Sequence, residues 1–344
     1  MIRNPEIASL LEAILEAIAE PSEKTHACLD LLLDTTFVNA VDAPSLALVV
    51  PVITRGLRSK TDLKKKASKV RLHHPEVGVV AVPEARTSIY PQIVGNLCAL
   101  VATPADLVPY VPLLLPELKR ALVDPSPEVR TIAARALASL LSGMGVAAFP
   151  ELVPWLLSTL QCDGSSVERS GAAQGLAEVL AVLGDDHFST LLPSVVEGCR
   201  SSRATAREGF LLLLRYLPFT MGTTFETHLP VVLPLILDNL SDEAEGAREA
   251  ALSAGRVFVE RYARTAMPLL LPAVEAGIGA DSWRIRQSSC ELLGALLFRV
   301  AGVTGKIQTD SSTADGDGVS TEATAKLLAS ALGACCFHIR RISL

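Results

Sequence analysis

FPELVPWLLSTLQCDGSSVERSGAAQGLAEVLAVLG, residues 149–184, is the stretch from which the architecture follows. In its first half Leu152, Val153, Leu156, Leu157 and Leu160 fall on one side of a helix, as the 3.6-residue period requires. In its second half Ala172, Leu176, Val179, Leu180 and Leu183 do the same. Between the halves, Ser165-x-x-Glu168 has the spacing of a capping box, in which the hydroxyl accepts a first-turn amide and the carboxylate reaches back. Gly184 fits a helix stop. The stretch is a helical hairpin with a wide apolar face and too little substance of its own to cover it. Such a hairpin must stack against another like itself.

Further copies run outward from it. Pro116, Pro154, Pro193, Pro234 and Pro272 each sit in a leucine-rich first helix, spaced 38, 39, 41 and 38 residues apart. An arginine follows each by 14 or 15 positions: Arg130, Arg169, Arg207, Arg248 and Arg286. Asp124, Asp163, Asp242 and Asp281 precede four of these arginines by five or six positions. Two helices per period of about 40 residues is the HEAT signature. The proline removes an amide and is expected to bend the first helix around its neighbours. The aspartates and arginines are expected to form a structural ladder from turn to turn. The fold class read from this is all-α, an α-solenoid of about seven HEAT-type hairpins.

Before the regular region, residues 5–35 read as a hairpin, with Lys24 at the arginine's place. Pro44–Leu57 reads as the next first helix, with Pro51 as its periodic proline and Lys65 fourteen residues on. The rhythm then fails: Pro51 and Pro116 are 65 apart, and removing Lys69–Pro91 restores a spacing of 42. An irregular insertion at 69–91 follows, whose prolines cannot extend a helix; it is expected to loop out or to leave the helix broken, and a segment foreign to the repeat, for example a retained intron, is one hypothesis for it. The regular units are read as Leu107–Val123 with Pro127–Leu141, then 149–184, Phe188–Arg200 with Ala204–Leu217, Phe225–Leu240 with Glu243–Ala263, and Ala266–Ile278 with Trp283–Val300. Ser126 and Asp242-x-x-Glu245 are the expected caps, and the unit at Ser201–Ser202 lacks the turn aspartate. The solenoid is thus assigned to 1–302. Residues 303–320, rich in Ser, Thr, Asp and Gly, read as a disordered loop. Residues 321–344 read as a partial helix with an atypical, truncated end.

Composition narrows the class. At 344 residues the chain is long for one core, a limit that stacked repeats escape. A formal net charge of −6 disfavours a general nucleic-acid binder. The seven cysteines (Cys28, Cys98, Cys162, Cys199, Cys290, Cys335 and Cys336) form no C-x-x-C pair and read as buried thiols of a reducing compartment. No signal peptide or membrane span is legible, so a soluble intracellular protein is expected.

The segments VERSGAAQGLAEVLAVLG (167–184), SDEAEGAREAALSAGRVFVERYA (241–263) and SWRIRQSSCELLGALLFRVAGVTGK (282–306) resemble the giant HEAT-repeat translational activators of the general amino-acid control response. TFVNAVDAPSLALVVPVITRGL (36–57) is similar to the HEAT region those activators share with fungal elongation factor three. The resemblance covers roughly 5–306 apart from the insertion, and the family's proteins are several times longer. It implies a non-catalytic scaffold, cytosolic and ribosome-associated, that promotes activation of the kinase phosphorylating the α-subunit of translation initiation factor two in amino-acid starvation. The partners it implies are the ribosome, an ABC-type ATPase co-activator and that kinase, the last through repeats nearer the family's C-terminus; it implies no membrane and no sequence-specific nucleic acid. An adaptor for transport cargo or a phosphatase complex is the alternative of the same architecture.

No catalytic constellation is legible. His26, His73, His74, His187, His228 and His338 carry no converging partners, and Cys336 with His338 is read as accidental. Gly302-x-x-Gly305-Lys306 lacks the strand and spacing of a phosphate loop and reads as a helix stop and linker. No enzyme, cofactor or metal is expected. Arg55, Arg58, Lys60, Lys64, Lys65, Lys66, Lys69 and Arg71 place eight cations within 17 positions against one acid, Asp62. The first six of these are the candidates for ribosome or partner contact, by attraction to phosphate or acidic surfaces. Trp155 and Trp283 are expected in the core rather than as surface anchors.

Overall fold

The computed structural model describes residues 2–58 and 104–307. Within them the chain forms fourteen α-helices and three 3-10 segments and no β-strand. They divide into two compact units. Residues 59–103 and 308–344, and with them the insertion at 69–91 and the C-terminal segments expected beyond 307, lie outside the described residues.

The first unit contains α1 (Pro5–Ser9), α2 (Leu11–Ala19), α3 (Pro21–Asp34), α4 (Ala43–Arg58), a 3-10 segment (Pro104–Tyr110), α5 (Val111–Leu122), α6 (Pro127–Met144), a 3-10 turn (Val146–Ala148), α7 (Leu152–Leu160) and α8 (Ser166–Leu183), save the first residue of α8. Asn4 caps α1 by accepting the Ile7 amide at 2.8 Å. In α8 the residues Ala172, Ala173, Leu176, Ala177, Val179 and Leu180 are at most 1% exposed, so the helix is buried on more than one side. Each fully buried Leu or Val contributes roughly 1.5–3 kcal/mol. Leu183 ends the helix at Gly184, whose φ of +88° suits a residue without Cβ; its amide donates to the Leu180 carbonyl at 2.9 Å.

The second unit contains the connector 161–166, then α9 (Asp185–Cys199), α10 (Ala204–Thr220), a 3-10 segment (Gly222–His228), α11 (Leu229–Asn239), α12 (Glu245–Tyr262), α13 (Met267–Ile278) and α14 (Trp283–Ile307). First helices pack on first helices, α9 on α11 and α11 on α13. Second helices pack on second helices, α10 on α12 and α12 on α14. Each hairpin thus finds on its neighbour the cover it lacks, as stacked repeats do.

Several boundaries differ from the periodic reading. The apolar stripe of 107–123 begins as 3-10 rather than α-helix, because Pro109 and Pro112 disfavour α geometry in the residues before them. The stripe of 225–240 opens the same way, between Gly222 at φ +59° and Pro230. The first helix of the 149–184 unit starts at Leu152, so Pro154 lies in its first turn, where no amide is needed. Asp242 and Glu245 form no capping box: Ala244 is the N-cap and Glu245 the first helical residue. Ser126 occupies its N-cap, but its hydroxyl donates to Glu128 and caps no amide. The stop expected at Gly302 is absent, and 303–307 are helix rather than loop. A helical glycine costs about 1 kcal/mol relative to alanine, too little to end a helix among apolar neighbours.

Candidate functional site

The periodic arginines turn back on their own repeats. The Nη1 group of Arg130 donates to the carbonyls of Asp124 and Pro125 at 2.8 and 2.9 Å. Arg207 reaches Ser201 and Ser202, at 2.8 and 3.1 Å. Arg248 reaches Asp242 and Glu243, at 2.6 and 2.8 Å, and Arg286 reaches Ala280 and Asp281, at 2.9 and 2.6 Å. In each case one guanidinium satisfies the carbonyls six and five positions earlier, which the turn leaves without helical partners. Arg169 is buried in α8, 5% exposed.

The aspartates serve the same turns from the other side. Asp124 Oδ1 accepts the Ser126 amide at 2.9 Å, and Asp242 Oδ1 accepts the Ala244 amide at 2.8 Å. Ser201 takes this place in the unit without an aspartate, its hydroxyl accepting the Arg203 amide at 3.2 Å. One arginine also grips a carboxylate of the next turn. Arg207 Nε and Nη2 meet Asp242 Oδ2 and Oδ1 at 2.5 and 2.8 Å, a two-pronged pair with side chains 18% and 6% exposed. Burial alone would push the Asp242 carboxyl up, but hydrogen bonds from Arg207 and the Ala244 amide, with the charges of Arg207 and Arg248, hold it below the usual range. Asp163 accepts from Arg203 and Thr205, at 2.9 and 2.8 Å. Asp281 contributes its carbonyl to Arg286.

Of the basic candidates, Lys60, Lys64, Lys65 and Lys66 lie outside the described residues. Arg55 and Arg58 are engaged within the protein. Arg55 Nη1 donates to the Ala17 carbonyl at 2.8 Å, tying α4 to α2. Arg58 Nε pairs with Glu117 Oε1 at 2.7 Å, while Arg120 lies 2.6 Å from Glu117 Oε2 and also donates to the Leu57 carbonyl. The Glu117 side chain is 9% exposed, so two cations surround one buried carboxylate and join α4 to α5.

Trp283 is not in the core: it is 59% exposed at the start of α14, beside Arg284. Trp155 is half-buried, with the Lys119 ammonium 4.4 Å from its ring. Both indoles fall in the first turns of their helices, where an apolar stripe meets solvent. The thiols divide similarly. Cys28 and Cys199 are buried, which pushes them up to about 11 and about 12, but Cys162 is partly exposed and Cys290 is exposed. Cys98, Cys335, Cys336, His73, His74 and His338 lie outside the described residues.

His228 is not isolated. Its Nε2 lies 2.7 Å from Asp185 Oδ1, and its ring stands edge-on to Phe188, centroids 4.8 Å apart. It terminates a row of rings through the second unit: Phe188 to Phe225 at 5.4 Å, Phe225 to Phe258 at 5.8 Å, and Phe258 to Tyr262 at 6.1 Å. The Tyr262 hydroxyl closes the row on the Gly222 carbonyl at 2.8 Å. The one trace of this row in the sequence is that Phe188 and Phe225 stand a repeat apart. Among the described residues no three His, Cys, Asp or Glu side chains are placed to hold a metal ion, and no helix is long and apolar enough to cross a membrane.

Paired helices, stacked first-on-first and second-on-second in the second unit, with Arg130, Arg207, Arg248 and Arg286 closing the turns of their pairs, define a HEAT-type α-solenoid. Residues 23–72 and 83–151 match the model for the elongation factor 3/GNC1 HEAT repeat, and residues 169–301 that for the elongation factor 3 N-terminal HEAT repeat. The protein ILITYHIA of Arabidopsis thaliana is 52% identical over 97% of this chain. The stalled ribosome sensor GCN1 of Homo sapiens is 43% identical over 97%, and the eIF-2-alpha kinase activator GCN1 of Saccharomyces cerevisiae is 40% identical over 92%. The chain belongs to this GCN1 family of HEAT-repeat proteins. It spans 11–12% of the length of these relatives.

Proposed function

We propose that the chain is a ribosome-associated, non-catalytic scaffold segment that promotes activation of the kinase acting on the α-subunit of translation initiation factor two. The observation that carries this is the 40–43% identity, sustained over 92–97% of the chain, to proteins named as a stalled ribosome sensor and an eIF-2-alpha kinase activator. The polar side chains of the described residues support it. They close turns and join helices. A scaffold acts by summing weak contacts along its length, and a stack of hairpins supplies such a length. The partners in this reading are the ribosome, an ABC-type ATPase co-activator, and the kinase through repeats elsewhere in the full-length protein. The compartment is the cytosol.

Lys60, Lys64, Lys65 and Lys66 are the proposed contacts to ribosomal phosphate or acidic protein. Arg55 and Arg58 are assigned instead to holding α4 in place. The test is capture of ribosomes by the tagged chain, wild type against a Lys64→Glu, Lys65→Glu, Lys66→Glu variant. Loss of capture, steepening with salt, is the expected result. Undiminished capture would remove the lysines from the interface.

A further inference from the structure

The second unit presents an arginine–aromatic platform at its surface. Phe219, in the last turn of α10, is 48% exposed, whereas Phe188, Phe210, Phe225 and Phe258 are buried. The Arg261 guanidinium, from the last turn of α12, lies over the Phe219 ring at 4.2 Å from its centroid. Arg215 shares the α10 face with Phe219, four residues earlier, and Arg264 stands in the turn two residues beyond the end of α12. No carboxylate pairs with Arg215, Arg261 or Arg264 among the described residues. Two other arginines nearby differ: Arg256 pairs with Glu291, and Arg299 with Glu260. Glu226 accepts the Thr265 hydroxyl at 2.7 Å.

An arginine set over a ring is held there by cation–π attraction. Its five N–H donors are still able to meet phosphate. An exposed ring flanked by cations in an otherwise acidic chain suits a ligand that offers both a flat π-surface and negative charge. Unpaired RNA offers both, since bases stack on aromatic side chains while phosphates meet arginine.

We propose that Phe219, Arg261, Arg215 and Arg264 form a platform for a short single-stranded RNA segment, bound without sequence preference. The ring takes a base and the arginines take the flanking phosphates. The choice of RNA over an acidic protein rests on the ribosome reading above. The geometry of the platform does not depend on it.

The test is fluorescence anisotropy of a labelled single-stranded oligouridine with the 344-residue chain at low salt. Three variants are compared: Phe219→Ala, Phe219→Trp and Arg261→Glu. Because Phe219 and Arg261 lie at the surface, the variants are expected to keep the wild-type circular dichroism melt. Loss of one stacked base predicts at least about fivefold weaker binding for Phe219→Ala. Phe219→Trp should restore it, and an abasic strand of equal length should bind wild type no better than oligouridine binds Phe219→Ala. Absence of RNA binding, equal binding by wild type and Phe219→Ala, or equal competition by a polyglutamate peptide overturns the proposal. The same variants are run in ribosome co-sedimentation. A chain that co-sediments but fails the anisotropy test loses the platform and keeps the ribosome reading; the reverse pattern loses the ribosome reading alone.

Discussion

Arg207 holds two turns at once. It satisfies the carbonyls of Ser201 and Ser202 in its own turn and the carboxylate of Asp242 in the next. Removing one partner of a buried pair typically costs about 3 kcal/mol or more. Arg207→Ala is therefore expected to lower the unfolding free energy from urea titration by that order, and Arg207→Lys to recover only part of it, since an ammonium cannot form the fork. Asp242 also ties stability to pH. Its folded-state pKa lies below the unfolded value of about 3.9, so its contribution is full above that pH and is lost as pH falls through the folded pKa. Asp242→Asn should lower stability at neutral pH and flatten the acid limb below about pH 4 in a melt-versus-pH series. An unchanged acid limb would assign the acid sensitivity elsewhere. The recurrence of Asp and Arg is plain in the sequence because both keep the repeat's period. Their partners are not, because most are backbone carbonyls and amides, which no side-chain pattern reveals. Ser201 shows the same limit: a missing aspartate looks like a gap, yet a hydroxyl fills its hydrogen-bonding role.

Helix α8 shows how close the elements approach. A Cβ on Gly171 would stand 1.9 Å from the Leu122 carbonyl oxygen at the end of α5. That atom is backbone and cannot swing aside, so Gly171→Ala must part the two helices. Overpacking of this kind costs about 1–3 kcal/mol, and a chemical denaturation curve should show it; a neutral result would mean that the helices lie further apart. The aromatic row of the second unit is the counterpart built from large residues. Phe225 touches Phe188, His228 and Phe258 and is fully buried, so Phe225→Ala is expected to cost about 3–5 kcal/mol in the same measurement. Neither feature was legible beforehand. An overall aromatic content of 4% gives no hint that four rings and an imidazole stand in file, and a helical glycine reads as a weakness until the opposing carbonyl is seen. The helices themselves were legible because leucines at period 3.6 leave little choice. Their first turns were not: at 104–110 and 222–228 the same apolar spacing is satisfied by 3-10 geometry once proline or glycine intervenes.

In the whole molecule, cohesion comes from stacking. Hairpins that cover one another use their apolar faces for cohesion and leave their polar faces outward. The family explains which partners to test, and the repeat physics explains why no single pocket is required. The basic cluster was legible only as a run of charge: Arg55 and Arg58 belong to it in sequence but are engaged with Ala17 and Glu117 in the fold. The arginine–aromatic platform was not legible at all, because Phe219 and Arg261 are a repeat apart. The most direct measurement is sucrose-gradient sedimentation of the purified chain with ribosomes at rising salt. The account predicts that the chain travels with the ribosomal peak at low salt and returns to the top of the gradient as phosphate contacts are screened. A chain that stays at the top even at low salt would contradict it.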